Sequence, residues 1–279
     1  MILIADSGST KTDWLLMDYQ GNPMLKLQTI GLNPYHVSNE LMQSVLHEIE
    51  IDSEIEIHNI FFYGSGCSEA QKDRMILQLR LRFDKSNIEV YSDILGAARA
   101  LFGKSAGIAS ILGTGSNTVL FDGKEIVRGV SSMGYQLGED GSGASLGREL
   151  LRAFFYKELS ESLREKMQNQ YDMSPDFVKN QLYSKPFPNR FLASFVPFIK
   201  DNIQDELLQM ICQNQFDNYF KYNYINNLMP TNYSVGLVGS ISYYFADFLK
   251  VSAAKYGYEI GRIVQSPMED IAKFHLNEL

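Results

Sequence analysis

Residues 2–18 read ILIADSGSTKTDWLLMD, two apolar runs on either side of a short turn of small and hydroxyl residues. Such a pattern predicts two antiparallel strands joined by a hairpin. Residues 106–122 repeat the arrangement as AGIASILGTGSNTVLFD. Because each half of the chain opens on the same kind of hairpin, the sequence predicts two duplicated domains that face each other across a cleft.

Outward from these hairpins, apolar periodicity predicts the other elements. In the first half we predict strands at 2–6, 12–18, 25–29, 59–64 and 88–92, and helices at 38–49, 69–83 and 94–102. In the second half we predict strands at 106–112, 117–122, 124–129 and 234–238, mostly helix from 144 to about 229, and helices at 243–256 and 271–279. Three strands followed by strand–helix alternation predict a mixed sheet covered by helices, an α/β fold. The predicted domains are 1–104 and 105–279, the second with a helical insertion.

Composition narrows the class of protein. The 279 residues are 45% hydrophobic and 21% charged, the balance of an ordinary globular chain. No apolar run approaches the ~20 residues of a membrane helix, and the N-terminus lacks the basic region of a signal peptide. A net charge of −8 disfavours a nucleic-acid partner. Only two cysteines, Cys67 and Cys212, occur far apart, so no disulfide framework is expected. We therefore expect a cytoplasmic protein with neither membrane nor nucleic acid as a partner.

The two hairpin turns have the composition of a phosphate cradle. Small residues let the backbone approach a phosphate closely, so that successive N–H groups can surround its oxygens. One such turn could equally be a hairpin without a ligand, but two at corresponding places favour a nucleotide polyphosphate. The predicted phosphate-binding residues are Ser7, Gly8, Ser9, Thr10, Lys11, Gly113, Thr114, Gly115 and Ser116.

Acidic residues at strand ends and in one loop are candidates for chemistry. Asp6 ends the first strand and is placed to orient Mg²⁺ through water. Asp93 ends a strand and begins a helix of small residues, where it is either a catalytic base or a helix N-cap. Glu139 and Asp140 lie between glycines, in a loop that either binds sugar hydroxyls, organises Mg²⁺ or is a plain acidic turn.

These segments, in this order, resemble the superfamily of acetate and sugar kinases, Hsp70 and actin. More closely they are similar to the BadF/BadG/BcrA/BcrD ATPase family, in its N-acetylglucosamine kinase-like branch. Residues 6–12 and 112–117 resemble the two phosphate motifs, and Ser92-Asp93 resembles the connecting motif that carries the base. The resemblance implies two ribonuclease H-like domains of the actin and hexokinase type, with mixed sheets flanking a central cleft.

The resemblance also implies further ligand contacts. Residues 236–241, GLVGSI, are similar to the adenosine motif, which adds Gly239 and Ser240 to the ATP contacts. The segments 31–34, 64–66 and 134–143 resemble the sugar-binding segments. The implied sugar contacts are Asn33, Ser65, Asp93, Gly115, Tyr135, Glu139 and Asp140.

Three positions depart from the family pattern. The pair Glu139-Asp140 reverses the usual Asp-Glu order, which leaves open which acid contacts the sugar. Tyr135 stands where a tryptophan is common. Residues 266–272 lack the usual glycine-alanine pair, although a terminal helix at 267–279 is still expected to pack on the N-terminal domain.

The activity implied is phosphorylation of an amino sugar, with ATP and Mg²⁺ as cofactors and Asp93 as the base. N-acetylglucosamine, N-acetylmuramate and glucosamine are the candidate substrates, and analogy allows a homodimer. One alternative is an ATPase activator of the acyl-CoA dehydratase type, whose iron–sulfur cluster would need Cys67 and Cys212 as ligands. Another alternative is a sugar sensor without catalytic activity.

Overall fold

The computed structural model describes residues 1–52, 54–130 and 133–278. Ten strands are described: β1 (Ile2–Ser7), β2 (Lys11–Met17), β3 (Pro23–Ile30), β4 (Asn59–Gly64), β5 (Asn87–Ser92), β6 (Gly107–Leu112), β7 (Ser116–Phe121), β8 (Ile126–Gly129), β9 (Val235–Val238) and β10 (Ile260–Val264). They form two five-stranded sheets with the orders β3-β2-β1-β4-β5 and β10-β9-β6-β7-β8. The predicted α/β class is confirmed.

Thirteen helices are described around these strands. They are α1 (Asn39–His47), α2 (Glu69–Arg82), α3 (Asp93–Phe102), α4 (Gly134–Leu137), α5 (Gly143–Phe155), α6 (Glu161–Gln170), α7 (Pro175–Tyr183), α8 (Pro188–Ala193), α9 (Val196–Asp201), α10 (Glu206–Phe220), α11 (Ser240–Tyr244), α12 (Ala246–Lys255) and α13 (Met268–Leu276). A π-helical turn, Lys221–Ile225, directly follows α10. No helix in the described part of the chain is long and apolar enough to cross a membrane.

The chain forms two compact units. Unit 1 consists of Met1–Ser110, Val119–Arg128 and Ser266–Leu279, and unit 2 of Ile111–Thr118 and Gly129–Gln265. These units are groups of residues in contact, and the domain boundary predicted at residues 104/105 stays a prediction. The predicted terminal helix 267–279 extends to Leu279, which lies outside the described residues.

The first sheet is mixed, as the sequence predicts. Strand β1 pairs antiparallel with β2, and parallel with β4. In register, Ser7 of β1 lies beside Gly64 of β4, which in turn lies beside Ser92 of β5. Because the carboxyl ends of these parallel strands coincide, the residues that follow them meet at one edge of the sheet.

Both faces of this sheet are buried. Leu3, Ala5 and Phe62 belong to one apolar cluster, and their neighbours Ile4 and Phe61 to another. Alternate residues of a strand point to opposite faces, so each strand contributes to two cores. Helix α13 closes the second core through Met268, Ile271 and Ala272.

The structure differs from the predicted elements at three places. Strand β10 was not predicted, because the short stretch with Gly261 and Arg262 has weak apolar periodicity; it pairs parallel with β9. The predicted helix 243–256 is two helices, α11 and α12, interrupted at Phe245, whose φ of −111° and ψ of 27° are not helical. Two starts were predicted for the last helix, 267 and 271; it begins at Met268, one residue after the first and three before the second.

Candidate active site

The turn between β1 and β2 is held by hydrogen bonds within unit 1. The Gly8 amide donates to the carbonyl oxygen of Lys11 over 2.9 Å. The buried Ser7 hydroxyl lies 2.8 Å from the Thr12 hydroxyl and accepts a hydrogen bond from the Leu32 amide over 3.0 Å. Ser7 therefore uses its hydroxyl to stabilise the turn, and a phosphate contact through that hydroxyl would have to break these bonds.

Gly31 braces the tip of the same turn. Its amide donates to the carbonyl oxygen of Thr10 over 3.0 Å. A Cβ atom placed on Gly31 would lie 2.3 Å from the carbonyl oxygen of Gly8 and 2.8 Å from the carbonyl carbon of Ser9. Only glycine leaves room for this backbone contact. At the start of β2, the Lys11 ammonium forms an ion pair with the Asp13 carboxylate at 2.9 Å.

Two carboxyl groups of unit 1, those of Asp6 and Asp93, have raised pKa values. Burial raises the pKa of Asp6 to about 7, with further contributions from the nearby negative charges of Asp93 and Asp13. Burial also raises the pKa of Asp93 to about 6, against hydrogen bonds from the Ile94 amide and the Ser65 hydroxyl. Two acids that both resist ionisation are typical of a functional site.

Asp93 is not the N-cap of α3. That position belongs to Ser92, whose hydroxyl oxygen accepts a hydrogen bond from the Leu95 amide. Asp93 is the first residue of the helix, where the positive end of the helix dipole favours a carboxylate. The structure thus gives the capping role to Ser92.

Asn33 and Ser65 lie in one cluster with Asp93. The Asn33 side-chain amide donates to the Ser65 hydroxyl over 3.4 Å, and the Ser65 hydroxyl bonds to Asp93. The other end of the Asn33 side chain accepts from the Tyr35 amide over 2.9 Å. Gly66, at a φ of +78°, has its Cα so close to Asn33 that a Cβ would lie 2.3 Å from Oδ1. This glycine allows the Asn33 side chain to reach Ser65.

The β6–β7 turn of unit 2 docks on the start of α5. The Gly113 amide donates to the Gly115 carbonyl oxygen over 2.9 Å, which closes the turn. The first amides of α5, those of Gly143 and Ala144, donate to the carbonyl oxygens of Gly113 and Thr114 over 2.8 and 3.0 Å. The turn is therefore positioned by a helix that follows it by more than twenty residues.

The acidic loop lies against this turn. A Cβ on Gly115 would approach the Glu139 carboxylate oxygen Oε2 to 2.8 Å, so Glu139 is the acid that reaches the turn. The Ser116 hydroxyl donates to the carbonyl oxygen of Asp140 over 2.9 Å. Burial raises the pKa of Asp140, and the charge of Arg148 opposes the rise.

Arg148 is a site residue that the sequence did not single out. It lies on α5, and its Nη1 donates to the carbonyl oxygen of Tyr135 in α4 over 3.1 Å. It thus links the helix carrying Tyr135 to the acidic loop. Nothing in the sequence near Arg148 distinguishes it from the other basic residues of the predicted helical region.

Gly239 lies between β9 and α11, with a φ of +120°. A Cβ at this position would lie 2.2 Å from the carbonyl oxygen of Leu112, the residue before the β6–β7 turn. The predicted adenosine segment is therefore adjacent to the second phosphate turn within unit 2. Ser240, the first residue of α11, is exposed.

The two cysteines are poorly suited to bind a cluster. Both are buried, and burial raises the pKa of the Cys67 thiol and of the Cys212 thiol to about 12. Cluster ligands are thiolates, which such surroundings disfavour. This counts against the interpretation as a dehydratase activator.

The predicted site residues therefore fall into two groups. Unit 1 brings together Asp6, Asn33, Ser65 and Asp93 at the carboxyl ends of β1, β4 and β5. Unit 2 brings together the β6–β7 turn, the acidic loop and Gly239.

Comparison with known proteins gives matches among solved structures. No protein family model matches the chain, and no curated protein matches it. A protein from Porphyromonas gingivalis, described provisionally as an N-acetylglucosamine kinase, is 38% identical over 99% of both chains, with a TM-score of 0.93. A Chromobacterium violaceum protein with the same provisional description is 13% identical over 98% of both chains, with a TM-score of 0.73.

A more distant match is a ROK family glucokinase from Streptomyces griseus, solved with glucose and AMPPNP. It is 13% identical and covers 98% of this chain and 97% of its own, with a TM-score of 0.58. The two matches that are 13% identical to this chain show a shared fold and nothing further. Together the matches confirm the predicted two-domain fold of the actin and hexokinase type.

Proposed function

This chain belongs to the sugar kinase family of its Porphyromonas gingivalis relative, and we propose that it transfers the γ-phosphoryl group of ATP to a hydroxyl of an amino sugar. The observation that carries the proposal is the cluster in which Ser65 links Asn33 to Asp93. We favour N-acetylglucosamine as the substrate, with glucosamine and N-acetylmuramate as alternatives. Within the superfamily, we assign the chain to the BadF/BadG/BcrA/BcrD ATPase family.

Asp93 is the proposed catalytic base. It takes the proton of the sugar hydroxyl as that oxygen bonds to the γ-phosphorus and the bond from this phosphorus to the β–γ bridging oxygen breaks, which releases ADP. With its pKa near 6, the carboxylate is ionised at neutral pH and more basic than an exposed aspartate. The Ser65 hydroxyl stabilises its ionised form by donating to it, and Asn33 positions Ser65.

ATP is proposed to bind through backbone groups. The amides of Gly8 and Gly113 close their own turns, so the proposed donors are the other amides of residues 8–11 in unit 1 and of residues 113–116 in unit 2. Gly239 and Ser240 are proposed to contact the adenosine. Since the protein carries a net charge of −8, local N–H donors and Lys11 have to provide the positive potential that a triphosphate needs.

Asp6 fits the predicted role of orienting Mg²⁺. Its carboxylate lies near the charges of Asp93 and Asp13, and the charge of Lys11 offsets them in part. Burial is the main reason for the raised pKa of Asp6, and repulsion from Asp93 and Asp13 adds to it. Carboxylate oxygens are what Mg²⁺ prefers, and a dication would relieve this repulsion. When bound, Mg²⁺ neutralises charge on the phosphates.

A phosphorylation screen tests the proposed function. Purified protein with ATP and Mg²⁺ is offered N-acetylglucosamine, glucosamine, N-acetylmuramate or glucose, and ADP release is measured. We expect at least one amino sugar to raise ADP release about tenfold or more above the rate without sugar. No increase with any sugar would contradict the kinase, and sugar binding without ADP release would favour the sugar sensor.

The raised pKa of Asp93 predicts the pH dependence of turnover. A base acts when deprotonated, so kcat/KM should rise with pH through about 6 and then level off. Bound Mg²⁺ would favour the ionised forms of Asp6 and Asp93 alike, so at saturating Mg²⁺ the acid limb should lie at or below about 6.

The Ser65→Ala variant is the matched test of this assignment. Loss of the hydroxyl that donates to Asp93 removes a stabilisation of the carboxylate, so the acid limb should move to higher pH. An acid limb that does not move in Ser65→Ala would assign the ionisation to another group.

A further inference from the structure

Unit 2 contains a cavity of about 320 Å³ beside the acidic loop. Part of its lining is already described, namely Ser116, Glu139 and Asp140. Its other described lining residues include the exposed apolar side chains of Met133 and Leu137, and two residues of the π-helical turn, Tyr222 and Asn223. The sequence predicted neither Tyr222 nor Asn223 as a site residue.

The π-helical turn contains one buried and one exposed tyrosine, Tyr224 and Tyr222. In this turn the Asn226 amide donates to the carbonyl oxygen of Lys221, five residues earlier, over 3.0 Å. Tyr224 is fully buried, with ring centroids 4.7 Å from Phe220 and 4.8 Å from Tyr258. Tyr222, by contrast, is 41% exposed. Single π turns of this kind occur frequently at functional sites.

Tyr219 anchors both the π turn and the acidic loop. It lies three residues before Tyr222, and its hydroxyl is 2.6 Å from the Thr118 hydroxyl of β7. In the acidic loop, Gly141 has a φ of +72°, and a Cβ there would lie 2.9 Å from Cβ of Tyr219. Because the loop packs on Tyr219, the positions of Tyr222 and of the Glu139–Asp140 pair are fixed relative to each other.

The polar groups of the cavity are rich in hydrogen-bond acceptors. Glu139 and Asp140 contribute carboxylates. The Asn223 side-chain nitrogen donates to the carbonyl oxygen of Tyr219 over 3.0 Å, so its oxygen Oδ1 is the atom left to serve the cavity. Acceptors of this kind match the O–H groups of a sugar. The described lining contains two carboxylates and no basic side chain, which disfavours an acidic ligand.

The apolar side chains of the cavity suit the C–H face of a sugar ring. A sugar ring has C–H faces as well as hydroxyl edges, and an aromatic ring can pack against such a face. Tyr222 supplies the ring, whose centroid lies 5.2 Å from the Lys221 ammonium, so one face of the ring is left for the sugar. Met133 and Leu137, which are 61% and 77% exposed, supply further apolar surface.

We propose that Tyr222 and Asn223 are specificity-determining residues, which bind the non-reacting part of a sugar without an acidic group in this cavity. Tyr222 packs its ring on the sugar, and Asn223 accepts a hydrogen bond from a sugar hydroxyl. This inference rests on the proposed sugar kinase function. It adds to the sugar site two residues that lie far along the chain from the acidic loop but line the same cavity.

The test compares Tyr222→Leu with Tyr222→Phe and with the control Tyr183→Leu. Tyr183, 83% exposed on α7, is outside the cavity lining. Kinetics are measured with N-acetylglucosamine, or with the best sugar of the screen. We expect Tyr222→Leu to raise the KM for the sugar about tenfold, while kcat and the KM for ATP stay within about twofold. Tyr222→Phe keeps the ring and should change the KM for the sugar by no more than about threefold.

Calorimetric titration of the same variants with N-acetylglucosamine separates this inference from the proposed function. Weaker sugar binding by Tyr222→Leu, but not by Tyr183→Leu, supports the cavity even if no sugar is phosphorylated. A sugar Kd and KM in Tyr222→Leu equal to those of Tyr183→Leu would overturn the inference while leaving the kinase intact. Melting temperatures confirm that each variant is folded.

Discussion

Asp93→Asn should lower kcat by about 10³-fold and leave the Kd for ATP within about twofold, because a positioned base contributes roughly 10²–10⁴-fold to such reactions. The amide has the shape of the carboxylate but cannot take the proton of the sugar hydroxyl. Steady-state ADP release at saturating sugar gives kcat, and ATP titration of the variant gives Kd.

The variant also decides between catalysis and helix capping. Asparagine caps helices about as well as aspartate, so a capping role predicts no loss of activity in Asp93→Asn. Ser92→Ala is the matched control. It removes the observed cap and should lower the free energy of unfolding by about 1 kcal/mol. Unchanged turnover in Asp93→Asn would remove the assignment of the base.

The stability of Asp93→Asn has a predictable sign. Folding raises the pKa of this carboxyl from 3.8 to about 6, so the folded state binds the proton more tightly than the unfolded chain does. The stabilisation from that proton is present at low pH and is lost as the pH rises through about 6. At neutral pH the variant should therefore be no less stable than the wild type, and lost activity would not reflect unfolding.

Gly31→Ala should weaken ATP binding by about tenfold or more and lower the free energy of unfolding by about 2 kcal/mol, within the range for overpacked sites. The new methyl group would lie 2.3 Å from the Gly8 carbonyl oxygen. Both groups belong to the backbone or are attached directly to it, so the clash cannot be relieved by rotating a side chain. The β1–β2 turn must then shift, which separates its amides from the phosphates. Titration with ATP and chemical unfolding measure the two effects.

Gly8→Ala is the stability control for this experiment. A Cβ on Gly8 meets only the Lys11 carbonyl oxygen, at 3.8 Å, which is an ordinary contact. Its stability should therefore be closer to that of the wild type. If Gly31→Ala bound ATP as the wild type does, the first turn would not be a phosphate site.

Much of the fold could be predicted from the sequence because its signals are local. The strand at Asn59–Gly64 was predicted with the observed bounds, and most other elements within one or two residues. Alternating or helical apolar spacing is strong in these segments. Strand β10 was missed because its pairing with β9, and not its own composition, makes it a strand.

The candidate site was predicted less completely. Asn33, Ser65 and Asp93 were named from motifs, and the structure places their side chains in one hydrogen-bonded cluster. Arg148 and Tyr222 were not named, because nothing in their immediate sequence distinguishes them from ordinary helical residues. Their proximity to the acidic loop depends on how α5 and α10 pack.

By itself, the sequence determined the two glycine hairpins, the α/β class and the identity of most polar groups, since turns and periodic patterns depend on near neighbours along the chain. Only the tertiary structure decided that Ser92 caps α3, that the Ser7 hydroxyl faces inward, and that Glu139 contacts the second turn. Each of these outcomes depends on contacts between residues that are distant in sequence. A local sequence pattern does not show which of these residues will lie next to each other.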